Sequence, residues 1–216
     1  MYQYSFYEKK GKRVIDIILS FMAIIILAPV YIGISIAIVI DDPGTVFFVQ
    51  KRVGVNKQIF YLHKFRSMKA NTPHNTPTHQ LKNPEQYITR VGKIIRKYSL
   101  DELPQIWDIL IGNMSFVGPR PALWNQEDLI LERDKYHVNS VVPGLTGWAQ
   151  VNGRDELAIV DKARLDGEYV FELRKGNFYG IFMDMKCIFK TIGSVVKADG
   201  VVEGIAGQTD TRHMDL

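Results

Sequence analysis

One stretch, Arg96-Lys-Tyr-Ser-Leu-Asp-Glu-Leu-Pro-Gln105, sets two cations, two adjacent carboxylates and a proline within reach of each other. Neighbouring side chains do not share a face of a regular helix, so Asp101 and Glu102 converge on one small target only where the backbone turns. Pro104 supplies that turn: it suits the first turn of a helix and pushes Leu103 towards an extended conformation. The sequence therefore predicts the pair at the entry to a helix running from Pro104 to about Leu110. Free backbone N–H groups at such an entry, with Arg96 and Lys97 upstream, would form a site for phosphate as well as carboxylate. A plain structural reading competes, because Ser99-Leu-Asp-Glu102 also fits the Ser-x-x-Glu capping box. In that case Pro104 falls in the second turn, where a proline removes a helical hydrogen bond.

Further cations sit in rigid or turn-rich contexts. Lys64-Phe-Arg-Ser-Met68 puts Lys64 and Arg66 at the end of an expected β-hairpin, built from Val46–Val49 and Gln58–Leu62 around a glycine turn. Arg120 lies between two prolines in Ser115-Phe-Val-Gly-Pro-Arg-Pro121, which limits the freedom of its backbone. Arg154 ends Trp148-Ala-Gln-Val-Asn-Gly-Arg154, which reads either as a strand closing in a glycine turn or as an arginine held beside a ligand. His74 and His79 fall in a Thr-, Pro- and Asn-rich loop with no carboxylate or thiol at ligand spacing, a poor metal site.

The elements that must position these groups begin with an apolar run. Residues 17–40 contain only Ser20 and Ser35 as clearly polar side chains, long enough as one helix to cross a ~30 Å hydrocarbon core. Asp41-Asp-Pro-Gly44 ends the run, and no small-residue cleavage site follows, so it is not a cleaved signal peptide. Cations flank both sides, Lys9, Lys10, Lys12 and Arg13 before, and Lys51, Arg52, Lys57, Lys64 and Arg66 after, so both flanks belong on the cytoplasmic face. Pro29 divides the run into halves each too short to cross, which admits a helix that bends there and leaves by the side it entered. A straight, merely kinked span is the alternative.

The soluble part is expected to be α+β and mostly helical: the hairpin, an amphipathic helix over Tyr87–Tyr98, the helix after Pro104, one over Asp155–Glu172 and one over Phe178–Val196. In the last, Phe178, Phe182, Met185, Phe189 and Ile192 form a stripe whose common explanation is core packing; beside a membrane anchor it also reads as an interfacial helix. The expected divisions are 1–42 for the anchor, 43–200 for the soluble domain and 201–216 for a polar tail. With Lys+Arg 27 against Asp+Glu 23, the basic excess is too small for nucleic acid and suits anionic lipid or a phosphorylated substrate. A single cysteine, Cys187, precludes an intrachain disulfide and points to a reducing compartment.

Taken in order, Lys12-Arg-Val-Ile-Asp16, the proline-split apolar run, Lys64–Met68, Arg96–Gln105, Gly112-Asn-Met-Ser-Phe-Val-Gly-Pro-Arg-Pro121 and Pro143–Arg154 resemble the bacterial sugar transferases. These are monotopic polyprenyl-phosphate phosphoglycosyl transferases, and the chain resembles their minimal catalytic form. The resemblance implies transfer of sugar-1-phosphate from a UDP-sugar, N-acetylated donors being the leading class, to undecaprenyl phosphate, with release of UMP. It implies Asp101 as nucleophile, Mg²⁺ held by Asp101 and Glu102, and phosphate contacts from Arg96 and Arg120, with Lys64, Arg66 and Arg154 as further substrate contacts. It also implies work at the cytoplasmic face of the bacterial inner membrane, in contact with membrane lipids; a homodimer stays open. Ala28 stands where family members often carry serine before the kink proline.

Overall fold

A π-helical turn, Tyr7–Gly11, runs directly into helix α1, Lys12–Asp41. The structure, a computed structural model, describes residues 4–69, 72, 84–153 and 157–197. In α1 the only buried residues are Lys12, Asp16, Ser20 and Ile38, and in its most apolar window only 6% of the residues are buried. A soluble protein does not leave so large an apolar surface in water, so this face requires lipid or another apolar surface.

Both ends of α1 are fastened to the same folded unit. At the start, Lys12 Nζ lies 2.5 Å from Asp184, whose carboxylate also accepts from Tyr7 and Tyr169 hydroxyls, and Asp16 accepts from the Phe116 amide. At the end, Ile38 packs with Phe65 and Ile95, Asp41 accepts from the Val91 amide at 2.8 Å, and Asp42 pairs with Arg66. The termini of a true span lie on opposite sides of a ~30 Å hydrocarbon layer. One domain gripping both termini therefore makes the anchor monotopic. Pro29 sits inside α1 without ending it, as proline does in membrane helices where local adjustment satisfies the freed carbonyl.

Strands β1, Phe47–Val53, and β2, Ile59–Phe65, form the expected antiparallel hairpin, longer in both arms than its most apolar stretches. Its turn uses left-handed Asn56 and Lys57. Phe60 and Leu62 of β2 face inwards onto Ile109 and Met114, and strand alternation carries Lys64 to that same side.

Helix α2, Arg90–Lys97, starts three residues later than the sequence predicts, because Thr89 caps it by accepting from the Gly92 amide; Pro84–Tyr87 form a 3₁₀ turn instead. Helix α3, Gln105–Ile111, follows Pro104 as expected. Strand β3, Ser115–Val117, pairs in parallel with β4, Gly144–Thr146. Between them lies α4, Glu127–Asp134. Residues expected as a strand after Trp148 form a 3₁₀ turn, Gln150–Asn152.

Helices α5, Ile159–Lys175, and α6, Asn177–Lys197, complete the domain. They enclose the main core, where Tyr169, Leu173, Met183 and Cys187 pack with Val117 and Val138. The stripe of α6 explained by core packing faces outwards: Phe178 is 75% and Phe189 65% exposed, while Met183, Asp184 and Cys187 point in. Exposed Ile94, Tyr98, Trp107 and Ile111 add apolar surface on α2 and α3.

Candidate active site

Asp101 and Glu102 lie in a 3₁₀ turn, Leu100–Glu102, wedged between α2 and α3. The chain enters it through Ser99 in the left-handed conformation, φ 53°, a position that costs a non-glycine residue free energy. Ser99 makes no side-chain cap bond, and Glu102 turns away from it, so the capping-box reading does not hold. Leu100 and Leu103 pack against the Ile38–Phe65–Ile95 cluster, which leaves the two carboxylates between them directed at the cations.

The two acids are treated differently. Glu102 Oε1 accepts from Lys64 Nζ at 2.8 Å and from Arg120 at 2.6 Å. Burial pushes the Glu102 carboxyl up, but the charges and hydrogen bonds of Arg120 and Lys64 outweigh it and hold the group well below the usual carboxylate range. Asp101 makes no hydrogen bond among the described residues; its nearest ion-pair partner is Lys64 at 4.0 Å. Burial raises its pKa, Lys64 pulls it down, the Glu102 charge raises it, and Arg96 and Arg120 lower it; burial prevails. Glu102 is an anchored anion, and Asp101 a carboxylate with its lone pairs free.

Arg120 is presented by a loop held through its carbonyls, because its prolines have no N–H to donate. Four successive carbonyls are bonded: Pro119 by the Gly144 amide, Arg120 by Arg133, Pro121 by Arg52 and Ala122 by the Val53 amide, all at 2.9–3.0 Å. Gly144 and Gly147 allow the close approach, since a Cβ at either would stand 2.0–2.1 Å from backbone atoms of Gly118.

The site thus unites Asp101, Glu102, Lys64 and Arg120 by direct contact and Arg96 by charge. Arg66 is not part of it: buried, it binds the Asp42 side chain at 2.9 Å and also the Asp42 carbonyl, closing the end of α1. Arg66 lies just past the end of β2, where its guanidinium meets Asp42, whereas Lys64, still within the strand, reaches Glu102. Arg154, His74 and His79 lie outside the described residues.

Residues 7–198 match the family model of the bacterial sugar transferases. The chain belongs to the bacterial sugar transferase family. It is 38% identical over 191 residues to the undecaprenyl-phosphate glucose phosphotransferase of Komagataeibacter xylinus, covering 84% of this chain and 35% of that protein. It is 35% identical over 195 residues to the UDP-N-acetylgalactosamine-undecaprenyl-phosphate N-acetylgalactosaminephosphotransferase of Aeromonas hydrophila, covering 88% and 44%. With the exopolysaccharide production protein ExoY of Sinorhizobium fredii it shares 32% over 204 residues, 88% of this chain and 87% of ExoY. The chain therefore spans under half the length of the first two relatives and most of the third.

Two supports of this family member's site escape sequence reasoning. Arg133, whose guanidinium latches the Arg120 carbonyl, is itself paired with Asp166 at 2.6 Å, both nearly fully buried. Asp108, fully buried in α3, takes both the His63 amide, at 2.9 Å, and its ring Nδ1, at 2.8 Å, and so ties α3 to the strand that carries Lys64. Asp108 had a visible signal, a lone acid in an apolar helix; Arg133 and Asp166 are ordinary charges in helices α4 and α5.

Magnesium characteristically binds through one or two carboxylates, with substrate phosphates and water completing the shell. Asp101 with its free oxygens, and Glu102 through Oε2, 3.5 Å from Arg120, fit that pattern. Among the described residues no group of three or more His, Cys, Asp or Glu side chains that could hold a metal ion occurs.

Proposed function

We propose that this chain transfers sugar-1-phosphate from a UDP-sugar to undecaprenyl phosphate, giving undecaprenyl-diphosphate-sugar and UMP, and so starts assembly of a capsule, exopolysaccharide or glycoprotein glycan. The observation that carries the reading is the contrast within the dyad: an unbonded, partly buried Asp101 beside a Glu102 fixed by Lys64 and Arg120. Relatives named for this chemistry with glucose and with N-acetylgalactosamine support the class of donor and acceptor.

In this reading an Asp101 oxygen attacks the β-phosphorus of the donor. A new aspartyl O–P bond forms, the P–O bond to the α-phosphate breaks, and its electron pair leaves with UMP. An oxygen of undecaprenyl phosphate then attacks the same phosphorus and breaks the aspartyl O–P bond, which restores the carboxylate. A carboxylate and a diphosphate repel each other, so Lys64, Arg120 and Arg96 supply the charge that permits the approach. Mg²⁺, held by Asp101 and Glu102, would neutralise phosphate oxygens and the leaving group. Glu102 keeps the two cations in place without competing for phosphorus.

In this reading the site works at the cytoplasmic face of the inner membrane, where a water-borne donor meets an acceptor whose tail stays in lipid, and an anchor held at both ends by one domain supports it. The outward apolar residues of α1, α2, α3 and α6 are the surface that would meet lipid. The test is a UMP-release screen over UDP-glucose, UDP-N-acetylglucosamine and UDP-N-acetylgalactosamine with undecaprenyl phosphate. Donor-dependent release that Asp101→Asn abolishes in folded protein is the expected result, with N-acetylated donors favoured. Release persisting in that variant excludes the covalent role. Introduced cysteines near positions 8 and 45 should both label from the cytoplasmic side.

A further inference from the structure

The polar contacts between α1 and α3 fall on the two ends of α3. At its end, Arg13 donates to the carbonyls of Ile109 and Leu110, at 2.6 and 2.7 Å, which places a cation at the negative end of the helix. At its start, the Tyr31 hydroxyl donates to the Leu103 carbonyl at 2.5 Å. That carbonyl already accepts from the Ile106 amide at 2.9 Å, so Tyr31 is not needed to satisfy it. The extra bond restrains direction instead.

Leu103 joins Glu102 to Pro104, and proline fixes its own φ, so the Leu103 peptide is where movement of α3 reaches the dyad. The Tyr31 ring also lies against Phe65, with ring centroids 5.4 Å apart, and Phe65 follows Lys64 in β2. One side chain of the apolar helix, in the half beyond Pro29, thus touches both the turn that bears Asp101 and Glu102 and the strand that bears Lys64.

We propose that Tyr31 is a positioning residue: through Leu103 and Phe65 the membrane-facing helix sets the distance between the carboxylate pair and its cations. The inference rests on the proposed transfer reaction. It makes the geometry of the site depend on how the second half of α1 is seated.

The experiment uses the full chain in lipid nanodiscs, with Tyr31→Phe and, as control, Ile26→Phe on the exposed side of α1. Single-turnover UMP release with donor alone gives an amplitude, which counts competent sites, and a rate constant. Hydrogen exchange of segment 99–104 is followed in parallel without substrate. Tyr31→Phe is expected to keep the amplitude and the donor KM, to lower the rate constant about tenfold, and to speed exchange in that segment. Ile26→Phe should match the wild type. A Tyr31→Phe protein with wild-type rate constant and exchange overturns the proposal, as does a fall in amplitude alone, which marks a purely structural role. If the wild type releases no UMP from any donor, the transfer reading fails, and the exchange result still decides the restraint.

Discussion

The Arg133 guanidinium donates to the main-chain carbonyl of Arg120, so the cation that grips Glu102 is held in place by a second arginine buried behind it. Arg133 in turn is paired with Asp166, whose carboxyl burial pushes up by more than Arg133 pulls it down. Removing one member of such a pair leaves an unpaired buried charge. Arg133→Met should cost about 3–5 kcal/mol of stability, and Arg133→Met with Asp166→Leu should recover most of it. UMP release should stay low in the double variant, because the Arg120 carbonyl is still unlatched. Thermal unfolding beside activity checks both expectations.

Asp101 pays for its freedom in stability. Its pKa is raised on folding, so near pH 7 the ionised carboxylate opposes the fold, and a neutral amide there relieves the cost. Asp101→Asn should therefore melt higher than the wild type, in the absence of donor and metal, while losing turnover. A melting temperature below wild type would contradict this account of the site.

The two carboxylates should separate by pH. Asp101 must be ionised to attack, so kcat/KM should fall on the acid side through a pKa above the ordinary aspartate value of about 3.9. Glu102 has a depressed pKa in the folded state, so its stabilisation is complete above its unfolded pKa of about 4.3 and is lost as pH falls through the folded value. Glu102→Gln should lower stability at pH 7 and flatten the loss of stability below about pH 4. Denaturant titrations from pH 3 to 7 read this directly.

Chelation of divalent ions should stop UMP release, and added Mg²⁺ should restore it. Glu102→Gln should raise the Mg²⁺ concentration needed for half-maximal rate. An unaffected rate in chelator would remove the metal from the mechanism.

Gly144→Ala should be severely destabilising, because its Cβ meets the Gly118 backbone, which has no room to shift without parting β3 from β4. Gly193→Ala, in α6 with nothing within 4 Å, should instead stabilise by roughly 0.5–1 kcal/mol. Melting temperatures of the two variants test whether close packing of the Arg120 loop, or glycine content as such, matters.

Much of this was legible in local pattern. The hairpin, α2, α3, α5 and α6 follow from alternation and helical spacing, and Pro104 correctly marks the start of α3. The dyad and Arg120 are carried by short motifs with proline, whose backbone effects are local. Arg66 was misplaced because its role depends on where β2 ends and on Asp42, at the far end of α1. The parallel pairing of β3 with β4 joins segments too short to announce themselves, and Arg133 with Asp166 acts only once α4 and α5 meet. The α6 stripe had the spacing of a core face; only the third dimension shows that it looks outward.

The Lys12–Asp184 contact, with the Tyr7 and Tyr169 hydroxyls on the same carboxylate, carries a practical corollary. Cutting the chain after residue 42 to obtain a water-soluble fragment would strand Asp184 in the interior without its ammonium partner and strip Phe65 of Ile38. Such a fragment should fail to fold: the greasy segment is no detachable tether but part of the scaffold, and purification must carry it along in detergent or lipid.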